Sequence, residues 1–150
     1  MANRLRDVVV AQHRRILAVI DRAESAPEPA ALRRVERALV AHLDAEEAVI
    51  HPVSEPLLET ARYGHEAHVV LRFALDRICA AATPNERATR LRVLRDLFVH
   101  HTEREEWITL QLLESRLEPA KLGAIARQLE VLFVPALLPK ASQTARRKER

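Results

Sequence analysis

Apolar residues recur along this chain at spacings of three and four, the period of a helix buried on one face. Leu5, Val8, Val9, Ile16 and Ile20 predict a first helix over about 3–23. The run SAPEP at 25–29 breaks it, and Pro29 suits the first turn of the next helix. Leu32, Val35, Leu39, Leu43 and Val49 mark a second helix over about 30–50. Pro52 and Pro56 interrupt it, and the stretch to Gly64 reads as a connection with one or two helical turns in PLLETAR. A third helix is predicted over about 65–82. Thr83-Pro84-Asn85-Glu86 has the form of a capping box with Pro in the first helical position. It opens a fourth helix predicted to run unbroken to Leu117. Glu118-Pro119 starts a shorter fifth helix, carrying Leu122, Ile125, Leu129 and Leu132, which Pro135 and Pro139 are expected to end. Four long helices joined by short connections predict an all-α protein: an antiparallel up-down-up-down four-helix bundle with an extra C-terminal helix.

Composition narrows this picture. Only 2 Gly in 150 residues leave little material for a many-turned β fold. One cysteine, Cys79, excludes an internal disulfide framework and any Cys-rich metal site, and reads as a small core residue. No apolar run approaches the length of a membrane span, and the first residues lack a signal peptide's apolar stretch. The expectation is a cytoplasmic protein. The formal charge of +3 is not spread evenly. Residues 140–150 carry Lys140, Arg146, Arg147, Lys148 and Arg150 against Glu149, while the other 139 residues hold 19 basic and 20 acidic groups. The chain therefore divides into a near-neutral body, 1–139, and a basic tail expected to be disordered. The body has no basic stripe interleaved with aromatics, which argues against nucleic-acid binding as the main function.

The surplus of histidine carries the chemistry. His42 and Glu46, in AHLDAEE, stand four apart on the second helix, and His101 and Glu105, in HHTEREE, repeat that spacing on the fourth. Residues i and i+4 share a helix face about 6 Å apart, so each pair presents an imidazole and a carboxylate to one point. One such pair is weak evidence; His51 and Glu55 have the same spacing across Pro52. Register adds weight. His13 on the first helix and His42 on the second fall at nearly the same height when counted from the turn between them. His68 on the third and His101 on the fourth match within about a helical turn. Four His and two Glu thus meet at one level. Nitrogen and carboxylate ligands without thiolate suit non-haem iron or manganese, and zinc less specifically. Carboxylates able to bridge suit a dinuclear centre inside a bundle. Trp107, directly after the second Glu pair, reads as a core or interface residue, or as a shield for the site.

These residues resemble the hemerythrin-like, or HHE cation-binding, domain. The resemblance spans about 8–118 and is carried by QHRRI (12–16), HLDAEEAVIHP (42–52), HEAHVVL (65–71) and HTEREE (101–106). It implies a four-helix bundle holding two non-haem Fe ions joined by a bridging oxo or hydroxo group. By position it implies His13, His42, His68 and His101 as iron ligands and Glu46 and Glu105 as bridging carboxylates. His13 and His42 would serve one iron, and His68 and His101 the other, with His65 as a further candidate ligand. The chain departs from the oxygen carriers in three places. His65 and His68 are three apart and not four, so His65 either binds metal or sits at the pocket entrance. Glu105 follows His101 by four and Glu106 by five, where the carriers have an Asp five residues on. His51 occupies a position where some relatives have Tyr, and reads as a proton donor, a group behind the ligands, a further ligand or a helix-end cap. His100, next to His101, falls beside the site.

The implied ligands are O2, hydrogen peroxide or NO. The function expected is a carrier or sensor, or a peroxide-decomposing oxidoreductase in which His51 or His65 moves protons. Leu17, Leu39, Leu71, Leu97, Phe98 and Ile108 are the candidate dry walls. The alternatives are an iron-storage or redox-sensing interaction module docking through VLFVPALLPK, and a di-iron oxidase of a small organic substrate.

Overall fold

The computed structural model describes residues 4–57 and 62–137, with side chains up to Phe133. The α-helical segments are α1 (Arg4–Ser25), α2 (Pro29–Val49), α3 (His51–Ser54), α4 (Arg62–Cys79), α5 (Pro84–Arg104), α6 (Leu110–Arg116) and α7 (Pro119–Leu137). A 3-10 turn, Glu55–Leu57, follows α3, and a π-helical turn, Glu105–Thr109, joins α5 to α6. No strand occurs among the described residues. Neighbouring helices close a ring: α1 packs on α2, α2 on α4, α4 on α5, and α5 back on α1. That is the four-helix bundle expected, and α7 lies outside it against α1 and α2.

Local chemistry sets the helix ends. Glu28 is extended (φ −76°, ψ 153°), and Pro29 begins α2 where a missing N–H is harmless. At the head of α5, Thr83 Oγ1 accepts from the Glu86 N–H at 3.1 Å and Glu86 Oε2 accepts from the Ala82 N–H at 2.9 Å. This satisfies two of the donors that a helix start leaves open.

Two apolar clusters fill the interior. One, towards the α1–α2 turn, contains Ile16, Leu39, Leu71, Leu94 and Phe98. The other, beneath α7, contains Leu5, Val9, Leu110, Leu113 and Leu129. On α1 the buried His13 falls between Val9 of one cluster and Ile16 of the other; on α5, His101 follows Phe98. The buried polar residues thus form a layer between two apolar plugs.

Several expectations are corrected. The fourth helix is not unbroken, because the π turn interrupts it. The third helix begins at Arg62 and ends at Cys79, which is exposed and not a core residue. Trp107 is 74% exposed and neither fills the core nor shields the buried layer. Pro135 does not end the last helix, which reaches Leu137; a proline in the final turn forfeits one hydrogen bond but keeps a helical φ. Pro139 and the basic tail at 140–150 lie outside the described residues. The last helix buries Leu122, Ile125, Leu129 and Phe133, while Leu132, expected on that stripe, is exposed with Val131; the side chains of the expected docking segment beyond Phe133 lie outside the described residues. No helix among the described residues is long and apolar enough to cross a membrane.

Thr83→Ala should lower stability by about 1 kcal/mol by removing the α5 cap. Phe98→Ala, at a fully buried site, should cost about 3–5 kcal/mol. Denaturant titration read at constant slope checks both.

Candidate metal centre

Each helix of the bundle delivers side chains to the polar layer. His13 comes from α1, His42 and Glu46 from α2, His68 from α4, His101 from α5 and Glu105 from the first position of the π turn. All six are buried, with His42 and Glu46 at 0% exposure. One ligand-type atom from each of His13, His42, Glu46, His101 and Glu105 lies within 4.8 Å of all the others, so the group could hold a metal ion. His68 stands just outside that set, with Nε2 3.3 Å from Glu46 Oε2.

Glu46 lies between the rings. Its Oε1 is 3.0 Å from His42 Nε2 and 3.8 Å from His13 Nε2. Its Oε2 is 3.3 Å from His68 Nε2 and 3.5 Å from His101 Nε2. Glu105 Oε2 lies 3.1 Å from His13 Nε2 and 3.7 Å from His101 Nε2. Yet His42 Nε2, His68 Nε2, His101 Nε2 and both Glu46 oxygens make no hydrogen bond. Five orphaned polar atoms converging in a core would be costly if nothing shared their lone pairs. Imidazole nitrogens and carboxylate oxygens are the donor set that a cation such as iron accepts, so the residues present fit a metal.

The histidines are held from behind. His13 Nδ1 lies 2.7 Å from Glu106 Oε1, His42 Nδ1 3.1 Å from Gln12 Oε1, and His68 Nδ1 2.9 Å from Glu47 Oε1. With Nδ1–H donating outward, each Nε2 lone pair is turned to the centre. The anchors are braced in turn. Arg72 Nη2 reaches Glu47 at 3.1 Å and Asp44 at 2.7 Å. Arg6 donates to the Glu106 carbonyl at 2.9 Å while gripping both Glu114 oxygens at 2.7 and 2.9 Å. Sequence reasoning missed Gln12, Glu47 and Glu106. Their signal is adjacency: each follows or precedes a residue of the layer by one position.

The π turn explains how Glu105 and Glu106 both serve His13. Adjacent residues of a regular helix diverge by about 100°. Here the Leu110 N–H bonds back to the Glu105 carbonyl, five residues away, and the widened turn sets one carboxylate at each side of the His13 ring. Such turns recur at functional sites.

Charge within the layer is shared unevenly. Burial would lower the His13 pKa, but hydrogen bonds to Glu105 and Glu106 and the nearby Glu46 carboxylate hold it well above the ordinary imidazole value. Burial drives His42 well below it, with Glu46 opposing. Burial alone would raise Glu46, yet His42 and the other surrounding imidazoles hold it well below the usual carboxylate range. Glu105 is raised, by burial first and then by the charge of Glu46.

His51 and His65 stand apart from this group. His65 turns Nδ1 to His51 Nδ1 at 3.3 Å and Nε2 to Glu55 Oε1 at 2.7 Å, and so is not brought to the layer. Its spacing of three from His68 puts it on another part of the α4 face, as the helix angle requires. The His51 ring lies 4.6 Å from that of His68, centroid to centroid. His100 bonds Tyr63 Oη at 3.1 Å through Nε2, and Arg104 stacks 3.8 Å above the Tyr63 ring. Beside the layer is a cavity of about 40 Å³, lined in part by His51, Gly64, Ala67, His101, Glu105 and Ile108. A side chain at Gly64 would bring its Cβ to 3.2 Å from His51 Nε2.

A family model for the hemerythrin HHE cation-binding domain matches residues 4–113. The chain belongs to that family. No curated protein and no solved structure gives a significant match to it. The match to the hemerythrin domain spans α1 to α6 and includes all six residues of the layer, while α7 lies beyond it.

In the metal-free hemerythrin domain, His51 has its pKa lowered to about 4, by burial first and then by the charge of His68. The unfolded chain takes up this proton first, so His51 favours the folded state less as pH falls from 6.5 towards 4. NMR titration should show a neutral His51 ring from pH 7 down to about 5. A midpoint near 6.5 would contradict this.

Proposed function

We propose that the protein is a hemerythrin-like di-iron protein that binds and reacts with dioxygen, hydrogen peroxide or nitric oxide. One observation carries the reading: the two oxygens of a single buried carboxylate, Glu46, face different histidine pairs. His13 and His42 would then hold one iron and His68 and His101 the other, with Glu46 and Glu105 placed to serve both. When bound, ferrous iron supplies the electrons and the open coordination position that these small ligands require.

The chain's own residues do the rest. Gln12, Glu47 and Glu106 keep the imidazoles oriented. Leu39, Leu71 and Phe98, all buried, exclude water from one side. The cavity of about 40 Å³ has room for roughly three waters, hence for a diatomic or a peroxide. That size argues against the oxidation of an organic substrate. The run from His51 Nδ1 through His65 to the half-exposed Glu55 is a hydrogen-bonded path between cavity and solvent. It supports peroxide turnover, which needs protons, over simple carriage. His51 and His65 are therefore proposed as proton-handling groups and not as ligands.

Reconstitution with ferrous iron under anaerobic conditions should give two irons per chain and raise the melting temperature, since a ligand at 100 times its Kd adds about 2.7 kcal/mol. Glu46→Ala and His42→Ala should lose both effects; full iron retention in either would overturn the assignment. Ala67→Leu, which fills the cavity, should keep the iron but slow reaction with peroxide at least tenfold, measured by stopped-flow absorbance.

A further inference from the structure

A second feature lies on the outer face of α1 and α2. A groove of about 320 Å³ is lined by Arg15 and Arg22 from α1 and Arg34 and Arg37 from α2, over a floor that includes Ala18 and Ala38. Among the described residues, none of these four guanidiniums makes an ion pair or a hydrogen bond. Two acidic residues of α1 are committed elsewhere. Asp21 pairs with Arg95 and Glu24 with Arg92, both on α5. Arg15 also borders the next groove, which holds Asp7 and Glu130. Four like charges gathered with no ion pair of their own among the described residues repel one another, and an anion seated among them relieves that repulsion.

The spacing of the four indicates what kind of anion. The His13 and His42 rings, 4.9 Å apart between centroids, set a common level on the two antiparallel helices. Counted from that level, Arg15 stands roughly 3 Å up, Arg37 7.5 Å, Arg34 12 Å and Arg22 13.5 Å. They form a ladder about 10 Å long with charge from both sides. A single orthophosphate cannot reach both ends. A chain of linked phosphates runs that length and offers each guanidinium a pair of oxygens in the planar geometry it prefers. The floor of alanines provides no pockets for the side chains of an acidic peptide.

We infer that this arginine groove binds an extended phosphate-type oxyanion, of the class of inorganic polyphosphate. The site is separate from the buried layer and requires no metal.

Isothermal titration of the full chain with tripolyphosphate, at low and moderate salt, tests this. Wild type should bind one equivalent. Arg34→Ala combined with Arg37→Ala should weaken binding roughly tenfold or more, as expected for losing charge-assisted hydrogen bonds. Arg33→Ala combined with Arg116→Ala, an equal charge change outside the groove, should leave affinity within about twofold, with tail residues 140–150 retained throughout. If the double alanine variant melts below the assay temperature, the paired Gln substitutions serve in its place. Equal weakening by the Arg33 and Arg116 pair would reduce the effect to net charge and overturn the proposal. So would an absence of tripolyphosphate binding, or equally tight binding of an acidic peptide of the same charge.

Discussion

The constraint on which this molecule depends is the burial of two carboxylates and four imidazoles in one layer of a helical bundle. Such groups strongly resist leaving water unless they are paired or hold a cation. The sequence answers with anchors at one remove. Glu106, Gln12 and Glu47 bind the outer nitrogens of three rings, and Arg6 and Arg72 bind the anchors in turn. The inner nitrogens of His42, His68 and His101 and the oxygens of Glu46 have no hydrogen bond of their own. A fully satisfied outer shell around an unsatisfied centre is the pattern of a site preorganised for an ion.

The apolar clusters on either side follow from that layer. Neither Leu39, Leu43 and Phe98 on one side nor Leu5, Leu110 and Leu113 on the other can pack across it. The second cluster has α7 to cover it, and Leu122, Ile125 and Leu129 supply apolar contacts that the bundle alone would lack. The fifth helix is thus part of the core at the end of the bundle nearest Leu5, and its role there is packing.

Much of this was legible in the sequence because the physics involved is local and periodic. The helices follow from apolar spacing, the α5 start from Thr83 and Glu86, and the meeting of His13, His42, Glu46, His68, His101 and Glu105 from counting rise along antiparallel helices. What was not legible depends on angle or on partners distant in sequence. His65 differs from a converging position by one residue, and only its contacts with His51 and Glu55 reveal where it goes. Cys79 and Trp107 look apolar enough to be buried, yet each falls on an outward face. The π turn did leave a trace. Buried positions on this helix step 94, 98, 101, 105 at regular spacing, then jump five to 110 before reaching 113. A slip of one in the apolar period is the mark of an inserted residue.

That slip makes one helix serve two masters. Upstream of the turn its frame is fixed by His101 and Glu105 facing the layer; downstream it is fixed by Leu110 and Leu113 facing the second cluster and α7. Removing one residue from the turn would restore regular backbone bonding and a regular apolar step, so Leu110 and Leu113 would keep their face; what would go is the widened turn that sets Glu105 and Glu106 on either side of His13. The irregularity serves the layer and not the packing beyond it, so losing a residue here would spare the second cluster and loosen the hold on His13.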